Sequence, residues 1–285
     1  MAPELVARRQ TSPSPFLKWV GGKRKLLARY RSLLPPDLAA HRYHEPFLGG
    51  GALYFALAPG RASLSDLNAD LIATYEAVRS DVDALIRALA PLVRAHTPER
   101  YYEVRARFNE RRDALDPIER AARFIYMNKT GYNGLWRVNS RGHNNVPVGR
   151  YAKPSVYDPD LLRADAVLLA GARLAVAPFE QALEAARPGY FVYLDPPYHP
   201  LSRTANFTAY AQNGFGESDQ RRLADACREL DRRGCRFMLS NSDCVLVRTL
   251  YRGFRIVKVQ AARSVNRNAQ DRGLISELVV RNYES

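Results

Sequence analysis

One stretch limits the possible folds of this chain more than any other: the apolar run YFVYL, Tyr190–Leu194, followed at once by Asp195-Pro196-Pro197-Tyr198. A short continuous apolar run reads as a buried strand. Two consecutive prolines end it, because neither has an N–H to continue a ladder. The strand therefore runs into a kinked loop, poor in donors, that presents the Asp195 carboxylate and the Tyr198 ring close together. Such a loop suits a planar amine. A nucleobase amine is a poor nucleophile while its lone pair is delocalised into the ring. If an acceptor-only carboxylate and a proline carbonyl take both of its hydrogens, the nitrogen moves toward sp³ and the lone pair localises. Tyr198 offers a π-face on which a base taken out of its stack can rest.

Other β-rich runs are Arg42–Phe47, Ala62–Asp66, Ala172–Ala177, Arg236–Ser240, Arg255–Val259 and Ile275–Arg281. They alternate with helical patterns at Ala52–Ala58, Glu217–Arg233 and Ser242–Tyr251, which predicts an α/β fold with a mostly parallel sheet covered by helices. The middle of the chain breaks this rhythm. Leu71–Ala90, Pro98–Asn109 and Ile118–Met127 are helical in pattern, and they lead into NGLWRVNSRGHNNVPVGRY. Between Lys129 and Ser155 there are five basic residues and no acidic one. This reads as an insertion, residues 71–158, that carries a basic hairpin and divides an α/β domain into residues 1–70 and 159–285.

A second constellation precedes the insertion. In YHEPFLGGGALYF a strand meets three glycines and then a helix, the arrangement that lets a backbone approach a ligand closely. Asp66 ends the following strand, where an acid would hold ribose hydroxyls. The glycines do not form G-x-G-x-x-G, since Tyr54 stands where the third would fall, and there is no phosphate-binding G-x-x-x-x-G-K. A further Gly-Gly lies in PFLKWVGGKRKLL, flanked by Lys18, Trp19 and Lys23. Lys and Arg number 43 against 29 Asp and Glu, a net charge of +14 that points to a polyanionic partner, nucleic acid first. The three cysteines form no C-x-x-C pair, which suits a reducing cytosol and gives no zinc signature. No stretch is apolar enough to span a membrane, and MAPELVARRQTSPSP lacks a signal core.

With these pieces in place the sequence resembles the adenine-N6 DNA methyltransferases. DPPY follows a strand, PFLGGG forms the cofactor loop and LKWVGGK lies near the N-terminus, in the order of the alpha group. The likeness is strongest to the DNA adenine methyltransferase (Dam) family. It takes in NKTGYNGLWRVNSRGHNNVPVGRY, DPPYHPLSRTANFTAY, SNSD and AARSVN, and runs from Pro15 to Tyr283. The resemblance implies a Rossmann-like seven-stranded methyltransferase sheet with an antiparallel last strand, and an inserted helical DNA-recognition domain bearing a β-hairpin. It implies S-adenosyl-L-methionine as cofactor, held by Trp19, Lys23, Phe47, Gly49, Gly51, Asp66, Phe179 and Asp195. A flipped adenine would lie at Asp195, Pro196, Pro197 and Tyr198 and take the methyl group in line, with no covalent enzyme intermediate. Double-stranded DNA would be contacted by Lys18, Tyr132, Asn133, Leu135, Arg137, Asn139, Asn145, Pro147, Arg150 and Tyr151, with Lys153 on a phosphate. The expected target is GATC: Arg137 and Lys18 read guanines, Leu135 and Pro147 meet a thymine methyl, and Tyr132 fills the gap left by the adenine. No metal or membrane is expected, and the enzyme would act as a monomer in the cytoplasm at the nucleoid. One departure stands out. Family members often carry Asp-Phe where this chain has Pro178-Phe179, so a carboxylate toward the cofactor's adenine is missing.

Overall fold

The structure is a computed structural model that describes residues 11–151, 153–200, 215–262 and 274–284. Residues 201–210 of the motif begun at Asp195, and 263–266 of AARSVN, lie outside the described residues. The described strands are β1 (Arg42–Glu45), β2 (Ala62–Asp66), β3 (Ala172–Val176), β4 (Tyr190–Leu194), β5 (Arg236–Ser242), β6 (Arg255–Ala262) and β7 (Leu274–Arg281). The helices are α1 (Leu27–Arg31), α2 (Ala52–Leu57), α3 (Ala69–Ser80), α4 (Val82–Arg94), α5 (Pro98–Arg111), α6 (Pro117–Thr130), α7 (Pro159–Leu169), α8 (Phe179–Glu184), α9 (Glu217–Arg232) and α10 (Val245–Leu250).

All seven strands form one sheet in the order β3-β2-β1-β4-β5-β7-β6. The pairings from β3 through β5 are parallel, while β7 is antiparallel to both β5 and β6. This is the Rossmann-like seven-stranded sheet with an antiparallel last strand that the resemblance implies. β4 lies at its centre and feeds both faces of the core: Phe191 and Tyr193 join one buried cluster, Val192 and Leu194 the other. The first cluster continues through α3, α4, α5 and α6, so the inserted helices share a core with one face of the sheet. α8 and α9 cover the opposite face.

Boundaries differ from expectation where local chemistry intervenes. β1 stops at Glu45, short of Phe47, because Pro46 cannot donate to the ladder. β5 runs on to Ser242 because β7 pairs with it as far as Ser242↔Glu277. The single helical stretch expected over Leu71–Ala90 is two helices, broken at Asp81, whose carboxylate caps α4 by accepting from Ala84 N at 2.9 Å. Buried Asp70, in the first turn of α3, accepts from Arg112 (3.1 Å) and Arg120 (Nε, 2.9 Å), tying the insertion to the loop after β2. Among the described residues no helix is long and apolar enough to cross a membrane.

The sheet order reverses at β1, which has β2 on one side and β4 on the other. Ligands of open α/β sheets bind outside the carboxyl ends of the strands at such a switch point. Here those ends carry the triple glycine, Asp66 and Asp195.

Candidate active site

The glycine loop is shaped by its own chain before any ligand enters. After Pro46, Leu48 N donates to Ser65 O (3.0 Å) and Gly51 N to Leu48 O (2.7 Å), while Gly49 and Gly51 adopt φ of 47° and 63°. A Cβ at Gly49 would lie 2.8 Å from Trp19 Nε1 and 2.7 Å from its Cδ1. The glycine is therefore needed for Trp19 to lie against the loop, and LKWVGGK and PFLGGG are two halves of one construction. Asp66 closes the loop from the far side. Its Oδ2 accepts from Gly49 N (3.0 Å) and its Oδ1 from Asn68 N (2.9 Å). Burial pushes this carboxyl up, and those backbone N–H groups pull it back. Phe47 stacks on Phe179 at 5.5 Å and 28°, with Phe215 edge-on to Phe47 at 5.9 Å. Pro178 precedes Phe179 as the N-cap residue of α8 and supplies no capping side chain.

Asp195 ends β4. The expectation of a carboxylate without competing donors needs correction. The two prolines do keep donors out of the loop, but two arrive from elsewhere: Lys23 Nζ at 2.8 Å and Ser240 Oγ at 2.8 Å. Both fall on Oδ1. Lys23 is only 5% exposed, also donates to Gly21 O (2.7 Å), and lies 4.7 Å from the centre of the Tyr198 ring. Tyr198 Oη donates to Glu277 Oε2 at 2.8 Å. Burial, then the Asp195 charge, pushes the Tyr198 phenol well up, so it remains a neutral donor.

The loop backbone is held by buried side chains. Gln220 Nε2 donates to Pro197 O (2.9 Å), His199 N to Asn241 Oδ1 (3.2 Å) and Ser242 Oγ to His199 O (2.7 Å). Asn241 Nδ2 in turn donates to Gln220 Oε1 (2.9 Å). Among the described residues the Pro196 carbonyl accepts no hydrogen bond, and it neighbours the carboxylate whose Oδ2 carries neither of the two donors.

The basic segment folds into the expected hairpin, held without a continuous ladder. Its arms meet at isolated antiparallel bridges, Gly131↔Val148 and Val138↔Asn144. A 3₁₀ turn at Tyr132–Gly134, with Asn133 at φ 53°, and the missing N–H of Pro147 interrupt the pairing. The arms are instead fixed from below. Asn109 exchanges two hydrogen bonds with the Asn144 backbone (2.8 and 2.9 Å), Tyr101 Oη and Arg105 donate to Val146 O, and Trp136 packs 3.9 Å from Phe124 between ring centres. Tyr132, Asn133, Arg137, Asn139, Asn145, Pro147 and Arg150 are exposed on it, and Leu135 and Tyr151 are half-buried. Arg137 Nε donates to Asn145 Oδ1 at 2.7 Å. Lys18 reaches the same surface: its Nζ lies 4.1 Å from the Tyr151 ring centre and donates to Lys129 O at 3.3 Å. The backbone of Lys18 is clamped in both directions by fully buried Asn128, through Lys18 N→Oδ1 (2.9 Å) and Nδ2→Lys18 O (2.7 Å).

Sequence reasoning missed Ser240, Asn241, Gln220, Asn128 and Glu277 as parts of these sites. Asn128 opens NKTGYNGLWRVNSRGHNNVPVGRY and Ser240 and Asn241 open SNSD, yet neither motif indicated their roles, while Glu277 stands out as the one charged residue in LISELVV.

Comparison with known proteins agrees with this geometry. Residues 19–265 match the family model for D12 class N6 adenine-specific DNA methyltransferases. The chain is 40% identical over 282 residues, covering 98% of it and 99% of the relative, to the type II methyltransferase M1.LlaDCHI of Lactococcus lactis subsp. cremoris. It is 42% identical to the type II methyltransferase M.MjaIII of Methanocaldococcus jannaschii, covering 94% of this chain and 99% of that one. It is 37% identical to the DNA adenine methylase of Escherichia coli K12, covering 93% of each.

Proposed function

The chain belongs to the D12 class of N6 adenine-specific DNA methyltransferases, and on that premise we propose that it transfers the methyl group of S-adenosyl-L-methionine to N6 of an adenine flipped out of duplex GATC. The observation that carries this reading is the pairing, at the end of β4, of Asp195 with a Pro196 carbonyl that has no other partner among the described residues. Together they can accept both amine hydrogens while Tyr198 supports the ring.

The residues fit the cofactor. Asp66 keeps a lone pair on each oxygen for ribose hydroxyls after accepting its two backbone donors. The Phe47–Phe179 pair offers a flat apolar wall for an adenine ring in place of the missing acid at Pro178. Trp19 and Lys23 border the same loops. When bound, S-adenosylmethionine supplies a methyl group on positively charged sulfur, an already activated leaving group. The protein's part is positioning and electrostatics: Asp195 and Glu277 set two carboxylates against the single ammonium of Lys23, an environment that suits a cation.

We take residues 71–158 as the DNA-recognition unit of a monomeric, cytoplasmic, nucleoid-associated enzyme that uses no metal. In the hairpin, Arg137 has its Nε on Asn145, which leaves both terminal nitrogens for the O6/N7 edge of guanine. Leu135 and Pro147 offer apolar contact to a thymine methyl. Tyr132, 48% exposed, is placed to wedge into the stack. Lys18 reads the guanine before the target. Asn133, Asn139, Asn145, Arg150, Tyr151 and Lys153 complete the contact surface.

The test is transfer of labelled methyl from S-adenosylmethionine to duplexes that contain GATC or permutations of it, followed by nucleoside analysis. The label is expected in N6-methyldeoxyadenosine and only from GATC. Label in that nucleoside from other duplexes would refute the target, and label in cytosine or none in DNA would refute the reaction.

A further inference from the structure

Glu277 has no part in the family motifs that carry the reading above, yet it makes the one direct hydrogen bond to the Tyr198 side chain found among the described residues, Oη→Oε2 at 2.8 Å. It stands on β7, opposite Ser242 of β5 and Val259 of β6, and is followed by the buried apolar run Leu278–Val280. A half-buried acid in such a strand is costly unless it has a partner. The Lys23 ammonium, whose close contacts are Asp195 Oδ1 and Gly21 O, offsets part of this cost through its charge, and the group in direct hydrogen-bond contact is the phenol.

The loop needs this bond. Pro196 and Pro197 contribute no N–H, and the tethers from Gln220, Asn241 and Ser242 reach the backbone at Pro197 and His199, on either side of Tyr198. They fix where the Tyr198 Cα lies but do not touch its ring. Among the described residues, Lys23 lies 4.7 Å from the ring centre and Glu277 accepts at the phenol end. Burial raises the Glu277 carboxyl, and the Lys23 ammonium counters that. Lys23 thus holds Asp195 while lying against the ring that Glu277 holds, so the amine grip and the stacking surface are set by one connected group of side chains.

We propose that Glu277 is a positioning residue for methyl transfer: by accepting the Tyr198 phenol it fixes the plane on which the adenine stacks, and so the distance from the amine to Asp195. This rests on the adenine-N6 reading and deepens it. A ring turned by a few tens of degrees would displace the amine by about 1 Å, an error that can cost ~10²-fold in rate.

The experiment is steady-state methylation of a GATC duplex by the wild type, Glu277→Ala, Glu277→Gln, Tyr198→Phe and the Glu277→Ala/Tyr198→Phe double variant. Glu277→Ala and Tyr198→Phe should each lower kcat at least ~10-fold, with KM for S-adenosylmethionine within ~3-fold of the wild type. The double variant should be no slower than the slower single one, because both remove the same bond. Glu277→Gln should recover most of the rate, since its amide oxygen can still accept the phenol. Unchanged kcat in Glu277→Ala, losses that multiply in the double variant, or a Gln variant as slow as Ala would each overturn the proposal. If thermal unfolding shows Glu277→Ala to be misfolded, Tyr198→Phe decides alone, since it keeps the ring and removes only the donor; a wild-type rate there overturns the proposal. A wild type that methylates no adenine in DNA would overturn the functional reading itself, a failure distinct from all of these.

Discussion

Asp195 shows how the structure changes the experiment that a motif suggests. Removing the carboxylate with alanine would deprive the Lys23 ammonium, 5% exposed, of its directly paired carboxylate, and confuse loss of fold with loss of chemistry. Asp195→Asn is cleaner. Its Oδ1 can still accept from Lys23 and Ser240, which turns its NH₂ toward the place of the amine, donor against donor. Transfer should fall by roughly 10²–10³, while cofactor affinity measured by calorimetry stays within a few-fold. Parallel loss of both would show that Asp195 serves chiefly the cofactor. A second carboxyl reports on stability alone. Asp165, in α7, is fully buried; its Oδ1 accepts from Ser14 N at 3.0 Å and its Oδ2 has no partner among the described residues. Burial pushes it up to about 8, and the Ser14 N–H only partly opposes this. The unfolded chain therefore releases this proton near pH 4 and the folded protein near pH 8, so the native state loses stability across that interval as pH rises. Asp165→Asn should raise the melting temperature by an amount that grows from about pH 4 to about pH 8 and then levels off. A gain independent of pH would contradict the assignment.

At the scale of elements, much was legible because the physics was local. The apolar runs located the central strands, and Pro46 and the Pro196-Pro197 pair marked where chain direction changes. The glycines and Asp66 marked the side on which the cofactor is proposed to lie, and the structure joins them through Gly49 N→Asp66 Oδ2. What stayed hidden depends on register and on contacts far apart in sequence. Nothing local says that Ser242 lies opposite Glu277, that Gln220 of α9 reaches the Pro197 carbonyl, or that Trp19 rests on Gly49. The helix expected to run unbroken from Leu71 to Ala90 hid a cap, because Asp81 inside an apolar-periodic stretch is indistinguishable from a surface acid until its side chain is seen on Ala84 N. The hairpin was visible in composition, but its support was not. Asn128, which holds Lys18 against the hairpin base, reads in sequence as one more polar residue. Asn128→Ala leaves the Lys18 N–H and C=O without those partners and should cost roughly 1–3 kcal/mol in denaturant unfolding, together with weaker DNA binding. Unchanged stability and unchanged affinity would show that the clamp is incidental.

Across the whole molecule, one sheet brings together three loops that are distant in sequence, and one continuous core fixes the inserted helices to that sheet. The excess of positive charge, +14 over the chain, suits DNA in general, and on the proposed reading the hairpin and the Asp195 loop supply the choice of base. On that reading these demands meet in a single product, a methyl group on adenine N6 at one short sequence. Expression in a host that lacks DNA methylation, followed by base-resolved mapping of its genomic DNA, tests this directly. N6-methyladenine is expected at the adenines of GATC, on both strands of the palindrome, and the mark should be absent when Asp195→Asn is expressed instead. Genomic DNA without N6-methyladenine, or with methylation on cytosine, would contradict it.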